Sequence, residues 1–137
     1  MTQDALVGGL VVTHGQLGQE LVAAAETIVG ETLPIVAVSI GWNDDVAESQ
    51  RKIEVAVQKV DTGKGVIILT DMFGGTPSNL ALPLLKKGEL EIVTGVNLPM
   101  IIKVANQAPN DSLSELVTRV KQQGQKHISI ASELLGE

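Results

Sequence analysis

Short, unbroken aliphatic runs constrain the fold of this chain more than any other feature of its sequence. Ala5 to Thr13, Pro34 to Ile40 and Val66 to Thr70 contain no charged residue. Runs of this length and composition predict strands that are buried on both faces, as in a parallel sheet. A fourth, shorter strand is predicted at Glu91 to Thr94, and His127 to Ile130 is predicted as a last, edge strand.

Between these runs the apolar residues follow helical spacing, which predicts a helix after each of the main strands. The predicted helices begin at Leu17, after Asp44-Asp45, near Pro77 (running to about Lys87), at Pro99 and near Leu113. Alternating strands and helices at this spacing indicate parallel βαβ units in an open sheet. We therefore predict one α/β domain over residues 1–137, with a doubly wound, mainly parallel open sheet, helices on both faces and the strand order 2-1-3-4.

Composition excludes several classes of function. The net charge of −6 disfavours binding to nucleic acid or to an anionic membrane surface. No apolar run approaches the roughly 20 residues that span a bilayer. The absence of cysteine excludes disulfides, thiolate chemistry and zinc–thiolate sites, and agrees with a cytoplasmic location. No cluster of metal ligands is visible in the sequence, and we expect neither a metal nor a cofactor.

The residues that follow the first and third strands are the first candidates for a functional site. In open α/β sheets, ligands bind beyond the carboxyl ends of the strands, where the strand order reverses. His14 follows the first strand and Asp71 follows the third, so neighbouring strands would bring them within hydrogen-bonding reach. A carboxylate bound to one ring nitrogen fixes the imidazole tautomer and leaves the other nitrogen free as a nucleophile.

A glycine-rich turn follows Asp71 and completes the candidate site. Gly74 and Gly75 allow backbone amides to turn toward an anion, while Thr76 is predicted to cap a helix that has Pro77 at its first position. Each residue alone is more typical of an ordinary turn, cap or packing position, and it is their joint placement that predicts a phosphate or anion site.

Three further residues are considered for roles other than contact with phosphate. Trp42, after the second strand, and Phe73 are candidates for a partner-docking surface, although a packing role for Trp42 is equally consistent with its position. His127 has no acidic or glycine-rich motif beside it, so we predict a structural role for it.

Three motifs resemble the mannose-family enzyme IIA domain of the bacterial phosphoenolpyruvate-dependent sugar phosphotransferase system, and the likeness covers nearly the whole chain. The motifs are Val12-Thr13-His14-Gly15, Asp71-Met72-Phe73-Gly74-Gly75-Thr76-Pro77-Ser78-Asn79 and Gly95-Val96-Asn97-Leu98-Pro99-Met100. They occur in the order and at the spacing of that family, and the second is the most specific.

The resemblance implies a role for each candidate residue. It implies that His14 accepts a phosphoryl group, that Asp71 orients the histidine, and that Gly75, Thr76 and the adjacent backbone contact phosphate. It also implies that phosphate comes from the histidine phosphocarrier protein HPr and passes to an enzyme IIB, here expected to be a separate protein. Contact with a membrane would then be indirect, through a IIC/IID permease. Family members are typically homodimers that exchange their last strand, a role that His127 to Ile130 would take here.

Alternative functions differ in what they require of the sequence. A receiver domain needs an acidic pair after the first strand, where this chain has Thr13-His14. A nucleotide- or flavin-binding module needs a glycine-rich loop at that point and stacking aromatic residues, for which Trp42 and Phe73 are the candidates. The phosphotransfer subunit of a dihydroxyacetone kinase shares the fold and the histidine, and the Gly74-Gly75-Thr76-Pro77 segment favours the sugar-system family over it. Which sugar is served, and whether the role is transport or regulation, stays open.

Overall fold

A computed structural model describes residues 6–136, in which four parallel strands form one sheet flanked by helices. The strands are β1 (Gly8–His14), β2 (Ile35–Ile40), β3 (Val66–Thr70) and β4 (Leu90–Thr94). The helices are α1 (Leu17–Val29), α2 (Val46–Val60), α3 (Thr76–Ala81), α4 (Leu98–Ala105), α5 (Leu113–Lys126) and α6 (Ala131–Leu134), with a 3₁₀ turn at Leu82–Leu84. The strand order is β2-β1-β3-β4, so the predicted topology is confirmed. The first strand was predicted to begin at Ala5, which lies outside the described residues.

Two apolar layers cover the faces of the sheet. Alternate residues of the central strands point to opposite faces because side chains alternate along a strand. Val11 and Ile67 pack with α1, α4 and α5, whereas Leu10, Val12 and Ile68 pack with α2 and α3. All five of these side chains are fully buried, which explains why the strands contain almost continuous aliphatic sequence.

The strand register brings the candidate residues to one edge of the sheet. Val12 of β1 pairs with Thr70 of β3, and His14 pairs with Ile40 of β2. β1 therefore extends two residues beyond its pairing with Thr70, and His14 lies beside the chain that leaves β3 at Asp71. On its other side, His14 lies beside the chain that leaves β2 toward Trp42.

The helix after β3 is shorter than the sequence pattern predicts. The predicted end near Lys87 is wrong, because α3 ends at Ala81 and is followed by the 3₁₀ turn. Pro83 has no amide hydrogen, and its ring crowds the carbonyl group four residues earlier, so an α-helix does not continue through it. The predicted cap is also displaced: Gly75 is the N-cap residue, Thr76 is the first helical residue, and Pro77 follows it.

The C-terminal segment corrects a further prediction. His127 to Ile130 do not form an edge strand in the described chain: α5 continues to Lys126, and the next residues lie outside the sheet. A capping box between Ser112 and Glu115 stabilises the start of α5, and regular apolar spacing continues from Leu113 to Val120. Ile128 and Ile130 are exposed rather than paired with β4.

No helix within residues 6–136 combines the length and the apolar character needed to cross a bilayer.

Candidate functional site

His14 and Asp71 are joined by two hydrogen bonds to a single carboxylate oxygen. Asp71 Oδ2 lies 2.7 Å from His14 Nδ1 and accepts the backbone amide of His14 at 3.0 Å. An ionised carboxylate only accepts hydrogen bonds, so Nδ1 carries the proton and donates it. In the neutral ring, Nε2 is then the nitrogen with a free electron pair. The predicted proximity of these two residues is confirmed.

The hydrogen bonds keep Asp71 ionised. Burial raises the pKa of Asp71, but the hydrogen bonds from the amide and ring of His14, the charge interaction with that ring and the hydrogen bond from the Met72 amide together outweigh burial, and the pKa lies below its ordinary value of 3.8. Asp71 Oδ1 accepts the Met72 amide at 3.0 Å, so both carboxylate oxygens are held in place. The side chain of Asp71 is 12% exposed and that of His14 is 25% exposed, which leaves the ring within reach of another protein.

Gly75 lies against the free edge of the imidazole. A Cβ atom added at Gly75 would lie 2.7 Å from His14 Cε1, closer than a Cβ atom tolerates, and 3.2 Å from Nε2, which is a tight contact. Gly74 has a different function, because its φ of +88° places it in the left-handed region, where glycine is favoured, and nothing lies within 4 Å of an added Cβ. The turn therefore uses one glycine for backbone conformation and the other for proximity to the ring.

Trp42 stacks on the other side of the site, directly on the histidine. The centroids of the Trp42 and His14 rings are 5.3 Å apart, with 30° between the ring planes. A tight turn holds Trp42 there: the Gly41 amide donates to Asp44 Oδ2 at 2.7 Å, and the Asp44 amide donates to the Gly41 carbonyl oxygen at 3.3 Å. Trp42 remains 86% exposed, so it packs on the histidine and not in the core.

A small cavity lies between the ring and the starts of α2 and α3. Its volume is about 140 Å³, enough for several water molecules. Thr76 lines it, as the sequence pattern suggested, and so do three residues that the sequence reading missed: Asp44, Val46 and Ser49. These three follow β2, which lies next to β1, so the signal available for them was their position beyond the carboxyl end of a neighbouring strand.

Apolar side chains surround the exposed part of the site. Met72 and Phe73, which follow Asp71 directly, are 57% and 69% exposed, and Val46 is 62% exposed. Exposed side chains of this size that follow one another along the chain suit contact with a second protein. Phe73 therefore has the exposure that a docking residue needs.

A larger cavity than the one beside His14 lies elsewhere. It measures about 800 Å³ and lies between β4 and α5, and neither His14 nor Asp71 lines it. His127 is also remote from the candidate site: it follows the last residue of α5 and lies 2.9 Å from Gln123 through Nε2. No group of three or more His, Asp or Glu side chains that could hold a metal ion occurs along residues 6–136.

Comparison with known proteins places this geometry in a family. The family described as "PTS system fructose IIA component" matches residues 8–121. The mannose-specific EIIAB component of the PTS system of Escherichia coli K12 is 32% identical over 126 residues, which are 87% of this chain and 38% of that protein. This chain therefore spans well under half of that relative.

Shorter relatives match over most of their length. The sorbose-specific EIIA component of the PTS system of Lacticaseibacillus casei is 32% identical over 112 residues, which cover 81% of this chain and 80% of that protein. Among solved structures, the mannose/sorbose-specific IIA subunit of a phosphotransferase system from Enterococcus faecalis superposes with a TM-score of 0.82 at 28% identity, covering 91% of this chain and 94% of that one.

Proposed function

This chain belongs to the IIA components of the sugar phosphotransferase system, of the mannose, fructose and sorbose type, and on that premise we propose that it carries a phosphoryl group on Nε2 of His14. The donor is HPr and the acceptor is a separate enzyme IIB, and transfer takes place in the cytoplasm. The contact that carries the proposal is the 2.7 Å hydrogen bond between His14 Nδ1 and Asp71 Oδ2, which leaves Nε2 as the free nucleophile.

The chemistry requires positioning and charge stabilisation more than acid–base catalysis. The electron pair of Nε2 attacks phosphorus while the bond to the donor nitrogen breaks, and that bonding pair returns to the donor. The proton on Nδ1 stays in place, so the phosphorylated ring is positively charged. Asp71, held ionised, stabilises this charge.

The small cavity and the glycine turn give the phosphoryl group its place. Gly75 leaves the Cε1–Nε2 edge of the ring uncovered, because a side chain there would contact both atoms. Thr76 lines the adjoining cavity and can donate its hydroxyl hydrogen to a phosphoryl oxygen. Gly74 gives the turn the shape that brings Gly75 and Thr76 to the ring.

Phosphorylation with purified components tests the proposal. Incubation with labelled phosphoenolpyruvate, enzyme I and HPr should give a single phosphorylation that is labile in acid and stable in base. His14→Ala should abolish the label, while the matched control His127→Ala should keep it, because His127 faces Gln123 and not a carboxylate. Labelling that persists in His14→Ala would refute the assignment. Transfer of the label to a IIB protein tests the acceptor.

We infer further that two copies associate through the open edge of β4. β4 pairs with β3 alone in the described sheet, and its free edge borders the 800 Å³ groove against α5. Ile128 lines this groove in its own chain, whereas Ile130 and Leu134, which follow it, are each more than 60% exposed and suit the open edge of a second copy. Sedimentation velocity should show a dimer that Ile130→Asp converts to monomer. A monomeric wild-type protein at high concentration would exclude the association.

A further inference from the structure

Burial in the core does not explain the contact between Trp42 and His14. An indole that is 86% exposed contributes little to a core, and Trp42 is the only tryptophan of the chain. Its backbone is nevertheless held on both sides: Gly15 donates its amide to the Ile40 carbonyl oxygen at 2.9 Å, and the Gly41–Asp44 turn closes after it. These hydrogen bonds therefore position the indole of Trp42 against the imidazole of His14.

We propose that Trp42 is a positioning residue that stabilises the charged, phosphorylated imidazole and so sets the equilibrium of phosphoryl transfer. The inference rests on the proposed function. It adds a cation–π attraction on the face of the ring, which neither Asp71 nor the glycine turn supplies. A cation within about 6 Å of an aromatic centroid is attracted to the face of that ring, and the centroids here are 5.3 Å apart.

The charge on the ring follows from the balance of the transfer step. In the form that attacks phosphorus, the imidazole carries one proton, on Nδ1, and Nε2 has a free electron pair. The new bond from Nε2 to phosphorus uses the free electron pair of Nε2, and the proton stays on Nδ1, which continues to donate its hydrogen bond to Asp71 Oδ2. The ring therefore gains positive charge on phosphorylation and loses it on transfer to the acceptor. A stacked indole lowers the free energy of the phosphorylated state more than that of the free state.

A docking role for Trp42 makes a different prediction. A residue that only contacts the partner changes the forward and reverse rate constants together, which leaves the equilibrium constant unchanged. A residue that stabilises the phosphorylated ring changes the equilibrium constant itself. The ratio of phosphorylated to free protein, measured at equilibrium with a known ratio of phosphorylated to free HPr, separates the two roles.

Four proteins should be compared: wild type, Trp42→Ala, Trp42→Phe and Phe73→Ala. We expect Trp42→Ala to lower the equilibrium constant for phosphorylation about two- to fivefold, the range of an exposed cation–π contact, and Trp42→Phe to fall between. Phe73→Ala is the matched control, because it removes an aromatic side chain that is 69% exposed and belongs to the turn after Asp71. It should alter rates and leave the equilibrium constant unchanged.

Fluorescence gives an independent measurement. Because Trp42 is the single tryptophan, its emission in the wild type and in Phe73→Ala should change when His14 is phosphorylated and return when the phosphoryl group is removed. An equilibrium constant that is the same in Trp42→Ala and wild type would overturn the inference while labelling at His14 stands. Absence of labelling at His14 would instead refute the carrier function itself.

Discussion

The two histidines of the chain lie in regions that differ in every property that phosphoryl transfer needs. His14 has a partly buried carboxylate on Nδ1, a glycine against its Nε2 edge and an indole on its face. His127 lies at the exposed end of α5, where its side-chain partner is the neutral amide of Gln123. The comparison indicates that the surroundings, and not the imidazole alone, make a histidine a phosphoryl acceptor.

Filling the space beside the ring should have the largest effect on this comparison. Gly75→Ala places a methyl group 2.7 Å from His14 Cε1, so the ring must move and Nε2 leaves its position. We expect the rate of phosphorylation by HPr to fall about 100-fold, the scale of a displacement near 1 Å. The φ of −84° at Gly75 suits any residue, so the free energy of unfolding should change little. Rapid-quench labelling and urea unfolding measure the two quantities.

Gly74→Ala is the matched control for that variant. Its added Cβ meets no atom within 4 Å, but its φ of +88° is strained for alanine. Stability should therefore fall by about 1 kcal/mol, with a smaller loss of rate than in Gly75→Ala. Equal rates of phosphorylation in Gly75→Ala and wild type would show that the space left by Gly75 beside the ring of His14 is not needed for transfer.

The sequence predicted the parts of the fold that short-range patterns determine. β3 and the starts of α1 and α5 were predicted at the residues where the structure has them, because a continuous aliphatic run and regular apolar spacing mark them. The end of α3 was wrong because apolar spacing continued past Pro83, where the helix cannot. His127 to Ile130 form no strand in the described chain, because a stretch of four residues has little strand character of its own without a neighbouring strand to pair with. Exchange of this segment between two copies stays a prediction.

The sequence likewise predicted one part of the candidate site and missed another. His14 and Asp71 were predicted to meet because the carboxyl ends of neighbouring parallel strands share an edge. Stacking of Trp42 and the contribution of Ser49 to the cavity depend on the turn that Asp44 closes, and a local side-chain hydrogen bond of that kind leaves no periodic pattern in the sequence.

Removing the charge beside His14 should have a smaller effect than moving its ring. In Asp71→Asn, the amide oxygen still accepts the Nδ1 proton, but a neutral acceptor stabilises the charged ring less than a carboxylate does. We expect phosphorylation by HPr to slow about tenfold. Rapid-quench labelling measures the rate, and wild-type speed would reduce Asp71 to a structural residue.

The reverse change should fail to convert the second histidine. Gln123→Glu places a carboxylate where His127 has its present partner, 2.9 Å away. On a His14→Ala background this variant should stay unlabelled, because the glycine turn and the indole are missing around His127. Labelling of His127 in this double variant would show that a neighbouring carboxylate alone makes a histidine a phosphoryl acceptor, without a glycine turn or an indole beside it.

The smallest effect concerns stability against pH. The pKa of Asp71 in the folded chain lies below its ordinary value of 3.8, because the hydrogen bonds from His14 and Met72 outweigh the opposing effect of burial. Folding therefore favours the ionised carboxylate, so its contribution is present in full above the unfolded value and is lost as the pH falls through the lower, folded value. In urea unfolding, the free-energy difference between wild type and Asp71→Asn should shrink as the pH falls below 3.8. Glu54→Gln, at an exposed position of α2, controls for the loss of any carboxylate.

A free-energy difference between wild type and Asp71→Asn that instead grows as the pH falls would mean that Asp71 is protonated more readily in the folded chain. Its ionised form would then not be available to stabilise the ring of His14.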